Sequence, residues 1–136
     1  MITEIKRPRE KITCQKRAIL EFLKSVRTHP TAEEIYRAVK TKLPQISKGT
    51  VYRNLNFLAR EGKILEIFSN KVSHYDGDIS FHSHFICRRC GNIFDIFNVF
   101  PKADAINKFI KRKRLTFGKI QDYQLIFYGF CQKCKN

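Results

Sequence analysis

Between residues 13 and 62 the apolar side chains return every three or four positions. In CQKRAILEFLKSV they stand at 18, 19, 22, 23 and 26, along one side of a helix, and Thr13 just before it is a good N-cap. His29-Pro30 interrupts the pattern. Thr31 opens TAEEIYRAVKTKL, where Glu34 completes a capping box and Ile35, Val39 and Leu43 share a face. Pro44 ends that helix. Ser47 caps a third, KGTVYRNLNFLARE, with Val51, Leu55 and Leu58 turned inward, and Gly62 stops it. Three short helices joined by tight turns predict a helix-turn-helix core.

Beyond Gly62 alternation replaces helical spacing. KILEIF (63–68), a turn at Ser69-Asn70-Lys71 and VSHYD (72–76) read as a hairpin, so the expected unit is a winged helix with the third helix as its recognition element. Lys48, Thr50, Tyr52, Arg53, Asn56 and Arg60 face outward on that helix and are of the types that meet phosphates and base edges. The plainer alternative is a solvated helix face. GDIS (77–80) looks like a hinge, FHSHFIC is strand-like, Gly91 turns the chain, and NIFDIF returns. Pro101 opens KADAINKFIKRK, with Ala103, Ile106, Phe109 and Ile110 on one stripe, and LTFGKIQDYQLIFYGF shows strand character around Gly118. A strand-strand-helix-strand unit of about 55 residues is marginal alone and needs a staple and a second copy of itself. The expected class is therefore α+β: a winged-helix DNA-binding domain over 1–77 and a small α/β dimerisation domain over 78–136.

Composition strengthens the nucleic-acid reading. The 136 residues carry 27 basic and 12 acidic side chains, a formal charge of +15 spread along the chain. Such an excess favours DNA or RNA as a partner ahead of an anionic membrane. A 43% apolar content with twelve Phe excludes a disordered chain. The first residues, MITEIKRPREK, are basic, broken by Pro8, and lack a signal peptide's apolar core. No run reaches the ~18 apolar residues of a membrane span. The expected location is the cytoplasm, where thiols stay reduced and paired Cys-x-x-Cys motifs read as metal ligands ahead of disulfides.

Cys87/Cys90 and Cys131/Cys134 make two such pairs, and four thiolates form the closed tetrahedral shell that suits structural Zn2+. A thioredoxin-like redox pair would need a βαβ context that is lacking. His82 and His84 stand at i and i+2 on a strand, so their imidazoles share a side. By spacing alone they fit a ligand pair and a polar strand face equally well. Asp76 and Asp95 could flank them, and His29 precedes the second helix. Such a nitrogen/oxygen shell suits Fe2+, Mn2+ or Zn2+, and with ligands from both halves it would lock the angle between them. A non-haem iron oxygenase site of two His and one carboxylate is the enzymatic alternative, but five candidate ligands leave at most one open position. His74, without comparable partners, is expected to be a surface residue of the wing.

THPTAEEIY (28–36), ISKGTVYRNLNFLAREGKI (46–64), HYDGD (74–78), HSHFICRRCGNIFD (82–95) and FYGFCQKC (127–134) together resemble the ferric uptake regulator superfamily, and within it the PerR-like peroxide-sensing repressors. The resemblance runs from about Ile12 to Cys134. It implies a homodimeric repressor binding a palindromic DNA operator, with Cys87, Cys90, Cys131 and Cys134 on structural zinc. His29, Asp76, His82, His84 and Asp95 match the PerR regulatory site for Fe2+ or Mn2+, where Fe2+ and peroxide oxidise the histidines at positions matching His29 and His82. Asp95 points to the PerR branch, since iron-responsive members usually carry Glu there. The alternative within the family is a repressor that titrates iron or manganese without histidine oxidation. Three features depart from the pattern. Phe81, Ser83 and Tyr123 occupy the surroundings of an additional sensory site, so no third metal is expected. Arg53 stands where several PerR proteins have Asn, which leaves operator preference open. Cys14 replaces a usual Pro and, having no resolving cysteine outside the zinc set, is expected to have no sensing role.

Overall fold

The computed structural model describes residues 12–98, 103–113, 117, 118, 120 and 123–136. The basic segment 1–11 and Pro101 lie outside the described residues. Three helices come first, α1 (Cys14–Ser25), α2 (Ala32–Lys42) and α3 (Lys48–Arg60). Each starts where a hydroxyl residue can satisfy an orphan amide: Thr13 accepts from the Lys16 N–H, Thr31 from Glu34 and Ser47 from Thr50. Their apolar stripes meet in one core of Ile19 and Leu23, Ile35 and Val39, and Val51, Leu55 and Leu58, closed by Ile64 and Tyr75.

The wing follows as an antiparallel pair, β1 (Leu65–Ser69) and β2 (Val72–Asp76). Its turn is one residue shorter than the sequence suggested. Ser69 pairs with Val72, and only Asn70 and Lys71 form the loop, both left-handed at φ 51° and 64°. Two consecutive positive φ values match the right-handed twist of a tight hairpin. Gly77 then passes so close to α1 that an added Cβ would meet the Leu23 carbonyl carbon at 2.7 Å and its oxygen at 2.8 Å. Backbone cannot yield as a side chain can, so this position requires glycine.

A second sheet of three strands has β3 (Ser83–Cys87) in the middle, antiparallel to β4 (Ile93–Ile96) and parallel to β5 (Ile126–Gly129). The helix α4 (Ala103–Lys111) lies between β4 and β5 in the chain. The expected strand around Gly118 is displaced: the strand lies at 126–129, and Phe117 and Gly118 belong to no strand. Among the described residues of this half the buried apolar side chains are Ile86, Cys87 and Cys131, whereas Phe94, Phe109, Tyr128 and Phe130 remain exposed. A sheet with so thin a core is the part of the molecule that a metal staple would stabilise most.

Candidate metal centres

The four predicted zinc cysteines converge. Cys87 ends β3, Cys90 closes the turn after it, and Cys131 and Cys134 follow β5, which pairs alongside β3 so that Cys87 stands beside Gly129. Their sulfurs lie within 4.8 Å of one another, and Cys90 Sγ is 3.8 Å from Cys131 Sγ. At a Zn–S bond of about 2.3 Å, two corners of a regular tetrahedron stand about 3.8 Å apart, so the group is positioned for zinc. The backbone prepares it. The Cys90 and Cys131 amides donate to Cys87 Sγ, the latter at 3.4 Å, and hold the Cys87 thiol down at about 6. Cys134, whose sulfur interacts with Cys131 and is partly buried, is pushed up to about 12. Cys87 is thus the thiol of the four most readily deprotonated by its surroundings, which suits the first ligand of an arriving cation.

The second cluster joins the two sheets. His29 comes from the turn before α2, Asp76 from the end of β2, His82 from the residue just before β3, His84 from β3 itself, and Asp95 from β4, where it pairs directly with His84. Three imidazoles point their Nε2 atoms at the same two carboxylate oxygens. Asp76 Oδ2 lies 2.9 Å from His82, 3.2 Å from His84 and 3.4 Å from His29, while Asp95 Oδ1 lies 2.7 Å from His29 and 3.3 Å from both others. Around an ion with bonds of about 2.1 Å at right angles, neighbouring ligands stand about 3.0 Å apart, which is this spacing. The ligand atoms of His29, Asp76, His84 and Asp95 all lie within 4.8 Å of one another, and His82 joins them through the two carboxylates. The residues present fit a regulatory metal of the Fe2+, Mn2+ or Zn2+ type.

Without an ion the cluster is a proton network. Burial works against a charged His29, but its bonds to Asp76 and Asp95 outweigh that and raise its pKa above the usual histidine value. The same holds for His82, where burial is opposed by the Ser80 carbonyl and Asp76. Burial would raise Asp76, yet its bonds from His29, His84 and the Asp78 amide hold it far below the usual carboxylate range. His82 Nδ1 donates to the Ser80 carbonyl at 2.7 Å, fixing its ring so that Nε2 faces the cluster. His29 Nδ1 is buried with no partner.

His29 is instead placed through its backbone. Its φ of 53° is unusual for a non-glycine residue and more so before a proline. His74 Nδ1 donates to the His29 carbonyl at 2.8 Å, and the Tyr75 amide donates to the Pro30 carbonyl at 2.9 Å. His74 is therefore not the free wing residue expected from sequence. It is half-buried and ties β2 to the ligand-bearing turn. Spacing along the chain carries no sign of this, because the two residues meet across 45 positions.

On α3 the predicted face is presented as expected. Tyr52, Arg53, Asn56 and Arg60 are exposed, Thr50 is half-buried and bonds Ser47 and Arg53, and Lys48 pairs with Glu33 of α2 at 3.2 Å. Cys14 is exposed, and the Phe81 and Tyr123 rings pack against each other at 5.1 Å.

The model of the "Ferric uptake regulator family" matches residues 9–128. The chain is 37% identical over 125 residues to the peroxide operon regulator of Bacillus subtilis (strain 168), a match spanning 91% of this chain and 83% of that protein. It is similar to the Campylobacter jejuni peroxide stress regulator, at 31% identity and TM-score 0.74 over 88% of each chain. It is also similar to the Helicobacter pylori ferric uptake regulator, whose structure is described as revealing three functional metal binding sites. That match has 26% identity and TM-score 0.73, over 90% of this chain and 82% of the other.

Proposed function

The chain belongs to the ferric uptake regulator family as a metal-responsive repressor of the Fur/PerR type, and we propose that it senses hydrogen peroxide through oxidation of its own ligand histidines. The family and its structural neighbours are regulators, not enzymes. The supporting observation is the cluster that draws His29, from the helical half, onto Asp95 of the second sheet at 2.7 Å. An ion bound there by His29, Asp76, His82, His84 and Asp95 holds the recognition helix at a fixed angle to the dimerising half. The domains divide near residue 77. Two such chains present two α3 helices to successive major grooves of a palindromic operator in cytoplasmic DNA. Lys48, Thr50, Tyr52, Arg53 and Asn56 make the contacts. Arg53→Ala should weaken operator binding more than binding to random DNA, and equal losses would mean that Arg53 meets only phosphate.

Fe2+ held by His29, Asp76, His82, His84 and Asp95 would supply the redox chemistry that opens the O–O bond of peroxide, ending in the oxidation state in which it began. One oxygen then forms a bond to a ring carbon of His29 or His82, the other leaves as water, and the carbon-bound proton moves to the ring oxygen or nitrogen. The imidazole loses two electrons and peroxide gains them. An oxidised ring is a poor metal ligand, so the tie between the halves is lost and the dimer leaves DNA. The resemblance to PerR-like repressors is what assigns this role to His29 and His82. The test uses full-length protein loaded with Zn2+ and Fe2+ and a DNA fragment selected from a random pool. Anaerobic addition of micromolar peroxide should release the DNA and add one oxygen to the peptide carrying His29 or His82. Release on metal withdrawal alone, with histidines unmodified by peroxide, would establish the iron- or manganese-titrating alternative.

A further inference from the structure

A cavity of about 310 Å3 lies against the regulatory cluster, lined by Lys24, Val26 and Arg27 from the end of α1 onward and by Asp76, Asp95 and Phe97. None of the three cluster histidines lines it. Their side chains are 3%, 0% and 3% exposed for His29, His82 and His84, against 8% for Asp76 and 18% for Asp95. Solvent therefore meets this site along its carboxylate edge, and the cavity is what lies on that edge. Phe97 is 46% exposed, and its ring stacks on His82 at 4.9 Å with the planes 26° apart. An aromatic ring that keeps half its surface in water gains little from burial there. What it does is cover one face of a ligand imidazole.

The geometry points to this cavity as the passage by which exchanging water and hydrogen peroxide reach the regulatory metal, with Phe97 as the residue that restricts it on the His82 side. The oxidant half of this inference rests on the peroxide-sensing reading, whereas water exchange does not. The space holds about ten waters at ~30 Å3 each, so a molecule of two oxygens can enter with its solvation. Lys24 and Arg27 offer N–H donors to the peroxide oxygens, and the carboxylates behind them accept its protons. Gly77, pressed on the Leu23 backbone, fixes how far α1 stands from Asp76 and so sets the width of the opening.

Two variants bracket the idea. Lys24→Trp, or Arg27→Trp should the first fail to fold, fills the passage, and Phe97→Ala widens it. Water-proton relaxation of the Mn2+-loaded dimer reads solvent exchange without any oxidation. Peptide mass spectrometry of the Fe2+-loaded dimer reads the oxidation rate. The filled variant should lose most of the Mn2+-induced relaxation and oxidise roughly tenfold more slowly, with Mn2+ affinity within about twofold of the original. Phe97→Ala should oxidise several-fold faster, with a larger share of the oxygen on His82. Relaxation and rate unchanged in both variants would overturn the passage, as would changes that merely follow altered Mn2+ affinity. Relaxation that responds to the variants while no histidine gains oxygen would keep the passage and remove the peroxide reading.

Discussion

The two clusters lie a few residues apart on β3 and differ in almost every physical respect. Cys87 ends the strand and takes its partners from one end of one sheet, with sulfurs 3.8 Å apart and no position left for a further ligand. His84, three residues earlier, takes its partners from both halves of the molecule, with nitrogens and oxygens about 3 Å apart and a carboxylate edge open to a cavity. A closed soft site within one unit can only hold that unit together. An open, harder site between units can gain or lose its ion, and with it their relative placement.

That contrast can be broken at its stronger end first. Cys131→Ser removes one of four zinc ligands from a half with almost no core, and apparent binding energies of about 10–16 kcal/mol for structural zinc leave nothing comparable to replace it. The folded dimer should be lost, as seen in sedimentation and circular dichroism; a stable zinc-free dimer would refute the staple. Asp76→Ala should leave zinc content and fold in place while abolishing metal-dependent DNA binding, because this carboxylate meets all three imidazoles. Persistent Mn2+-dependent binding would count against the regulatory cluster.

His74→Phe keeps a ring but deletes the donor to the His29 carbonyl. Loss of such outer partners typically costs about 10–100-fold in metal affinity. His74→Asn, whose amide nitrogen can take the place of Nδ1, should restore most of it, and the Co2+ spectrum should follow the same order. If both variants bind like the original, the contact is incidental. The smallest effect is that of pH. His29 and His82 have raised pKa values in the metal-free protein, so their stabilising contact with Asp76 is complete below the usual histidine pKa of ~6.5 and fades as pH rises through the raised values. A metal ion competes with those protons. Its affinity should therefore fall with decreasing pH, by about tenfold per pH unit for each proton displaced, which isothermal titration calorimetry can follow. The zinc content should not change over the same range.

Periodicity was enough for the helices and their caps, because Thr13, Thr31 and Ser47 act on amides within the next turn. Both cysteine pairs were equally plain, since two-residue spacing is itself a coordination geometry. What spacing could not show was contact between distant backbones. The tight Asn70-Lys71 turn depended on left-handed conformations for which Lys71 gives no local signal. The last strand was misplaced towards Gly118 because β5 is chosen by parallel pairing with β3 across some forty residues, and a short apolar run cannot reveal its register. The role of His74 was invisible for the same reason.

One contact between the halves involves no metal ligand side chain. Ser69 Oγ donates to the Gly91 carbonyl at 2.9 Å in a buried bond, and the Asn70 side chain lies over Gly91, whose φ of 76° and missing Cβ let it sit there. The tip of the wing is thus seated on the turn that carries Cys90. The two halves touch at a fixed point beside the permanent ion and at a releasable one around the conditional ion. On the function proposed above, release of His29 from Asp95 would leave the wing tip as the pivot between the halves, and a small loosening at the cluster would become a larger sweep of α3.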